Sequence, residues 1–189
     1  MQEIVGRSSK RFHGFLIETE VIFFGSGKTE IDTQIGFLDH MIELLAKHGQ
    51  FDIKVKCVGD VHVDNHHTVD EVAMNLGLAF KEAVGKIPHK IVRFGHCILP
   101  MDEVLSTVAI DIDAHRQSFV FDVSFRSKSL GMLTTDAIRE FWSMFSQKLE
   151  CNLIIKSEYG VNDHHIAEGL FKCVARAINK SIQKEAGLQ

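Results

Sequence analysis

The feature that most constrains the fold is an internal repeat. The segment Asp64-Asn65-His66-His67-x-x-Asp70 recurs as Asn162-Asp163-His164-His165-x-x-Glu168, and the matched histidines lie 98 residues apart in a chain of 189. The strand-like segment 51–56 recurs in the same way at 151–156. A chain repeated at this length folds as two similar units that stack on a shared core.

The hydrophobic pattern predicts the same order of elements in each half. Alternating apolar residues predict strands over 15–23, 51–57, 108–112, 119–125 and 153–155, and helical spacing predicts helices over 37–48, 68–84, 136–149 and 166–182. Pro88 and Pro100 bracket the boundary between the halves. We therefore expect an α+β fold of two tandem halves, 1–92 and 93–189, each a small sheet with two helices packed on it, together forming one compact unit.

Charge and composition exclude several classes of protein. The net charge is −4 and the pI is near 6.2, so there is no bulk positive field for nucleic acid or an anionic membrane. No apolar run approaches the roughly 18 residues of a membrane helix, and no signal peptide is visible. The four cysteines form no C-x-x-C pair. These features predict a reduced, cytoplasmic protein.

The repeated histidine pairs suggest metal binding. On a helix, Asp70 shares a face with His66 and His67, while two adjacent histidines diverge by about 100° and can serve different ions. Imidazole and carboxylate ligands without thiolate suit manganese, iron, zinc or nickel. His40 and Glu140 occupy matching positions in the preceding helices. We expect each ion to be bound by ligands from both halves of the repeat. We expect neighbouring subunits to contribute these ligands.

A simpler interpretation is that each histidine pair is an exposed start of a helix, whose carboxylate complements the helix dipole. Two copies with a carboxylate at the same spacing make this interpretation less favourable than metal binding. Glu71 follows Asp70 and could replace it as the ligand, and the sequence leaves that choice open.

Several motifs in a fixed order resemble the imidazoleglycerol-phosphate dehydratase family. They span roughly residues 25–180 and are Phe37-Leu-Asp-His-Met41, Gly59-Asp60-x-x-x-Asp64-x-His66-His67-Thr68, Arg93-Phe-Gly95, Pro100-Met-Asp-Glu103 and His164-His165-Ile-x-Glu168-x-x-Phe171-Lys172. The resemblance implies a fold like domain 2 of ribosomal protein S5, a homo-oligomer of about 24 subunits with sites at their interfaces, and two Mn²⁺ ions per active site.

The resemblance also implies the reaction and its residues. The reaction is the dehydration of imidazole glycerol phosphate to imidazole acetol phosphate in histidine biosynthesis, through a substrate imidazolate that bridges two metal ions. The implied metal ligands are His40, His66, His67, Asp70 or Glu71, Glu140, His164, His165 and Glu168. The implied substrate contacts are His40, His66 and His164, with Arg93, Arg116 and Lys172 for the phosphate. The candidates for moving protons are Glu18 and Glu71.

The sequence departs from the family pattern mainly in its substrate contacts. Gly14 stands opposite a family glutamate, and Glu18-Thr19 is the nearest candidate for that role. Arg116 is displaced from the family's Ser-Gly-Arg-Pro segment, and the family's C-terminal Ser and Lys are absent from the sequence. These departures leave two alternatives to the dehydratase: a metal-binding relative that has lost turnover, and a different dinuclear metalloenzyme such as a phosphatase.

Overall fold

A computed structural model describes residues 3–12, 14–59, 65–112 and 116–186. The first half contains β1 (Ile4–Phe12), β2 (Phe15–Phe23), β3 (Thr29–Asp32), α1 (Gly36–Gly49), β4 (Asp52–Val58) and α2 (Asn65–Gly85). The second half contains β5 (Phe94–Met101), β6 (Val104–Ile112), β7 (Phe119–Asp122), β8 (Ser129–Leu130), β9 (Leu133–Thr134), α3 (Thr135–Leu149), β10 (Cys151–Tyr159) and α4 (Asp163–Ser181).

The two halves have the same sheet topology. The strand order is β1-β2-β4-β3 in the first four-stranded sheet and β5-β6-β10-β7 in the second. In each sheet the last pair, β3 with β4 or β7 with β10, is parallel and the others are antiparallel. The predicted α+β fold with tandem halves is confirmed, and the small hairpin β8–β9 is an addition to the second half.

The helices lie between the two sheets and pair across the halves. Helix α2 packs on β1 and β2, and helix α4 packs on β5 and β6. The helix–helix contacts, however, join α1 to α4 and α2 to α3. Each helix pair therefore combines one helix from each half, which brings residues that are distant in the sequence to one place. None of the helices in the described residues is long and apolar enough to span a membrane.

Each sheet buries one face and exposes the other. In β2 the buried side chains alternate with outward-facing ones, as the sequence pattern predicts for a half-buried strand. The outer face of the first sheet carries charged residues, among them Arg7, Glu18 and Lys54. The outer face of the second sheet carries polar and apolar residues, and Phe94 and Ile98 on it are 62% and 65% exposed.

A duplicated pair of glycines lets each sheet approach its helix. A β-carbon on Gly6 of β1 would lie 1.8 Å from the carbonyl oxygen of Ala79 in α2. A β-carbon on Gly95 of β5 would lie 1.9 Å from the carbonyl oxygen of Ala177 in α4. Both distances are far inside van der Waals contact, so only glycine permits this packing.

The sequence pattern missed five strands, β1, β3, β5, β8 and β9, and placed two helix starts too late. β1 and β5 are edge strands, and β1 is mostly polar on its exposed side, so the alternation of apolar residues is weak there. The four-residue strand β3 is too short to show a period. The predicted strand 119–125 ends at Asp122, and helices α2 and α4 begin at Asn65 and Asp163, so the histidine pairs lie within their first turns.

A side chain at the same position of the repeat binds a loop in each half. It is an aspartate, Asp52, in the first half and an asparagine, Asn152, in the second. Asp52 Oδ1 accepts from the backbone N–H of Ser26 (2.7 Å) and of Lys28 (2.9 Å), and Asn152 Oδ1 accepts from Ser118 N–H (2.8 Å). Burial opposes ionisation of Asp52, but these hydrogen bonds outweigh it and hold its pKa below the ordinary value.

We expect Asp52→Asn to lower the free energy of unfolding by about 1 kcal/mol at neutral pH, because a carboxylate accepts more strongly than an amide. A lowered native pKa contributes stability above the pKa of the unfolded chain and loses it as the pH falls through the native pKa. The difference between the two proteins should therefore vanish in acid, as urea unfolding at several pH values would measure. Asn152→Asp should show the opposite dependence, and a pH-independent difference for Asp52→Asn would contradict the interpretation.

Candidate metal centres

The start of α4 is built to present the second histidine pair. Asn162 has extended backbone and caps the helix, and its Oδ1 accepts from the backbone N–H of His164 (3.0 Å) and His165 (3.5 Å). Asp163 joins this helix start to the loop between β7 and β8, because its carboxylate accepts hydrogen bonds from the backbone N–H groups of Arg126 and Ser127. The histidines therefore lie on a rigid helix start, and their adjacent side chains face different directions.

The first candidate metal centre combines α1 and α4. His40 Nε2 lies 3.0 Å from Glu168 Oε1, and His164 Nε2 lies 2.9 Å from the same oxygen. One ligand atom from each of the three residues lies within 4.8 Å of the others. The structure thus assembles these three residues within one chain from both halves of the repeat.

A lysine holds the carboxylate of this centre in its ionised form. Lys172 Nζ donates to Glu168 Oε2 at 2.6 Å, one helical turn along α4. Burial raises the pKa of Glu168, but the hydrogen bonds from Lys172, His40 and His164 prevail and lower it to about 2. Lys172 is therefore engaged with Glu168, in addition to its contact with Met101 Sδ at 3.1 Å.

The second candidate metal centre lies on the other helix pair, α2 with α3. His66 Nε2 is 3.7 Å from Asp70 Oδ2. Burial raises the pKa of Asp70; the charge of His66 opposes this shift, and the negative charge of Glu140 on α3 adds to it. Asp70 Oδ1 is buried and accepts no hydrogen bond from any residue that the structure describes. This group is the repeat counterpart of His40, His164 and Glu168.

Glu71 lies beside the second centre and is already paired. Its side chain is 5% exposed, and Oε1 is 2.5 Å from Lys10 Nζ on β1 and 3.8 Å from His67 Nε2. Asn75, which accepts from Ser8 Oγ, donates to the backbone oxygen of Glu71 at 2.9 Å. These contacts hold Glu71 towards β1 and away from His66.

The second histidine of each pair, His67 or His165, contacts residues outside the two candidate metal centres. His165 Nδ1 lies 2.9 Å from Glu103 Oε2, and this hydrogen bond raises the pKa of His165 and lowers that of Glu103 to about 2. His67 instead packs against the rings of Phe12 and Phe15, at centroid distances of 5.6 and 5.3 Å. The sequence analysis gave Glu103 no role, although it lies in one of the quoted motifs.

Other predicted site residues do not join these groups within one chain. Glu18 lies on the outward face of β2 and is exposed, on the opposite side of the sheet from the helices. Arg93 adopts a left-handed φ of 73° and forms a bidentate ion pair with Asp111, at 2.6 and 3.1 Å. Arg116 is exposed and follows residues 113–115, which lie outside the described residues.

A basic cavity next to the first centre was missed by sequence reasoning. It measures about 840 Å³ and is lined by α1, β5 and α4; its cationic and histidine lining is Lys47, His48, Lys172, Arg176 and Lys180. Burial lowers the pKa of His48, and the charges of Lys172, Arg176 and Lys47 lower it further. The positive charges of Lys47, Lys172, Arg176 and Lys180 make this cavity suitable for an anionic group. The clue in the sequence was the spacing of Lys172, Arg176 and Lys180, which places three cations on one face of α4.

Solved structures share this architecture. The imidazoleglycerol-phosphate dehydratase from Staphylococcus aureus superposes with a TM-score of 0.85 at 24% identity, covering 96% of this chain and 99% of that one. The enzyme from Pyrococcus furiosus superposes with a TM-score of 0.80 at 25% identity, covering 96% and 97%. The superpositions define the chain as a duplicated α+β protein with the fold of these two structures.

Sequence relatives identify the family. The family model of imidazoleglycerol-phosphate dehydratase matches residues 33–178. The dehydratase of Magnetococcus marinus is 41% identical over 164 residues, which cover 87% of this chain and 82% of the relative. That of Clostridioides difficile is 44% identical over 168 residues, covering 87% and 86%. The chain belongs to the imidazoleglycerol-phosphate dehydratase family.

Proposed function

We propose that this protein dehydrates imidazole glycerol phosphate to imidazole acetol phosphate in L-histidine biosynthesis, and that it requires a divalent metal. The observation that carries the proposal is the group His40, His164 and Glu168, whose ligand atoms lie within 4.8 Å of one another, together with its counterpart in the repeat, His66, Asp70 and Glu140. Two equivalent centres suit a substrate whose imidazole ring has two nitrogens that point in opposite directions.

The residues present fit a metal ion of the manganese type. Imidazole nitrogen and carboxylate oxygen without thiolate are the ligands of Mn²⁺, Fe²⁺ or Zn²⁺. Three ligand atoms converge within 4.8 Å in the first centre, and the buried Asp70 Oδ1 has no hydrogen-bond partner among the described residues; both features suit a bound cation. We propose two Mn²⁺ ions per active site; when bound, they would act as Lewis acids that stabilise the substrate imidazole in its deprotonated, bridging form.

The contacts favour Asp70 over Glu71 as the carboxylate ligand of the second centre. Asp70 Oδ2 lies 3.7 Å from His66 Nε2 and its Oδ1 has no hydrogen-bond partner among the described residues, whereas Glu71 is held by Lys10. Glu71 is therefore the better candidate for moving a proton, because it is buried beside His67 and Lys10 can stabilise its charged form. Glu18, on the outer face of the first sheet, lies too far from the helices to serve within the same chain.

The basic cavity is the proposed site for the substrate phosphate. Lys172 lines both the cavity and the first centre, and Arg176 presents a planar guanidinium suited to bidentate phosphate contacts. Arg93 lines a different cavity, with Lys81 and Lys90, so it could reach the same phosphate only from a second copy of the chain. We assign the same role to Arg116: contact with the substrate phosphate from a second copy of the chain.

The site residues support a homo-oligomer with active sites at subunit interfaces. His67 and His165 face away from the centre on their own helix pair, so they are available to a centre of another copy. The exposed apolar side chains of Phe94 and Ile98 on the second sheet offer a surface that a neighbouring subunit would cover. We propose an assembly of about 24 copies in the cytoplasm.

Turnover with and without metal tests the proposal. We expect protein stripped with a chelator to form imidazole acetol phosphate at less than one hundredth of the original rate, and added Mn²⁺ to restore it. Protein that binds Mn²⁺ without turnover would favour a relative that has kept its ions and lost catalysis. Full activity of verified metal-free protein would contradict the role of both centres.

A further inference from the structure

The two histidine pairs occupy equivalent positions in the repeat, but the hairpins that face them differ. The connections between β1 and β2 and between β5 and β6 are both two-residue loops, because Phe12 pairs with Phe15 and Met101 pairs with Val104. This register makes Glu103 the counterpart of Gly14. The second hairpin therefore supplies a carboxylate at a position where the first supplies no side chain.

Glu103 is bound to the start of α4 through both of its oxygens. Oε1 accepts from the backbone N–H of Asn162 at 3.0 Å, and Oε2 lies 2.9 Å from His165 Nδ1. Asn162 in turn caps the helix and accepts from the backbone of His165. The carboxylate and the histidine ring are therefore held by the same helix start.

This contact determines which ring nitrogen of His165 is available. An ionised carboxylate can only accept, so Nδ1 must carry the proton and donate it to Glu103. The Nε2 atom then keeps its lone pair, and none of the described residues bonds to it. A histidine ligand held by a carboxylate in this way has a fixed tautomer and orientation and is a stronger base towards a metal.

Gly14, the counterpart of Glu103, cannot do the same for His67. Gly14 has a φ of 84° and no side chain, and the neighbours of the His67 ring among the described residues are Phe12, Phe15 and Glu71. The contact with Glu71 is 3.8 Å long and approaches Nε2, the nitrogen that stays free in His165. The two halves of the duplicated site therefore prepare their second histidines differently.

We infer that Glu103 is a positioning residue that fixes His165 with Nε2 free for a divalent ion, and that the half without this carboxylate, at Gly14, has the weaker site. This inference rests on the proposed metal-dependent function, and it adds a difference between two sites that the repeat alone would make equal. Removal of an outer carboxylate from a ligating histidine typically weakens metal binding by 10- to 100-fold.

Titration of the metal-free full-length protein with Mn²⁺, followed by the electron paramagnetic resonance signal of the free ion, tests the inference. We expect two classes of site in the wild-type protein. Glu103→Gly, which copies the residue of the first hairpin, should weaken the tighter class by 10- to 100-fold. Glu103→Gln keeps an amide oxygen that can accept from Nδ1 and should show a smaller loss. Asp102→Asn is the control, because Asp102 Oδ2 is 3.7 Å from His165 Nδ1, beyond hydrogen-bond distance.

A double-mutant cycle separates positioning from a structural role. If Glu103 acts through His165, the effect of Glu103→Gly on affinity should disappear in a His165→Ala background. An equal loss of affinity in both backgrounds, or unchanged affinity in Glu103→Gly, would overturn the inference. A wild-type protein that binds no Mn²⁺ would contradict the metal centres themselves and this inference with them, so failure of the two proposals can be told apart.

Discussion

Glu168→Gln and Asp70→Asn should each lower kcat by roughly a thousandfold or more, because each removes a charged ligand from one of the two proposed centres. Both substitutions preserve the size of the side chain, so the helices should remain packed. Glu168 contacts His40, His164 and Lys172 at once, and its amide replacement would leave Lys172 without a carboxylate partner in this group. The measurement is the steady-state rate of dehydration at saturating Mn²⁺, together with the metal content of the purified variants.

We expect Glu168→Gln and Asp70→Asn to lower kcat by a similar factor, and this similarity is the more specific part of the prediction. If the centres hold the two nitrogens of one ring, loss of either centre should stop the same step, although the residues lie on different helix pairs. Asp136→Asn is a matched control, since Asp136 is exposed on α3 one turn before Glu140. A variant Asp70→Asn with normal turnover and metal content would exclude the second centre and shift attention to Glu71.

The sequence predicted the repeat, the four helices and the candidate ligands, because these depend on local spacing. The position of His66 relative to Asp70 is fixed by helical geometry and needs no tertiary information. The pairing of helices across the halves could not be predicted in this way. His40 and Glu168 are 128 residues apart in the chain, and only the packing of α1 on α4 brings them together.

Sequence reasoning was weakest where a residue's role depends on what faces it from another element. The sequence analysis gave His48 no role, but it lines the basic cavity because α4 presents three cations opposite it. Glu18 was considered for catalysis from its place in the sequence, and the pleat of β2 turns it to the outer face. The ion pair of Lys10 with Glu71 joins an edge strand that no apolar pattern revealed.

Gly6→Ala and Gly95→Ala should each destabilise the protein by at least about 3 kcal/mol, at the upper end of what overpacking costs. The added methyl group would meet a backbone carbonyl at 1.8 or 1.9 Å, and a helix backbone cannot rotate away as a side chain can. Strand and helix would have to separate by more than 1 Å, and this would open gaps in a close-packed core. Because the two glycines are counterparts in the repeat, their effects should be of similar size.

Thermal unfolding at fixed protein concentration measures both variants. A loss of about 3 kcal/mol corresponds to a fall in Tm of roughly 6–12 °C for a chain of this length. Gly85→Ala, at the end of the same helix that Gly6 contacts, is the control, because no atom lies within 4 Å of the new methyl group. Alanine there should be neutral or should stabilise by up to about 1 kcal/mol, since it restricts the unfolded chain. Gly6→Ala and Gly95→Ala proteins as stable as this control would mean that the sheets do not approach their helices as closely as the carbonyl distances require.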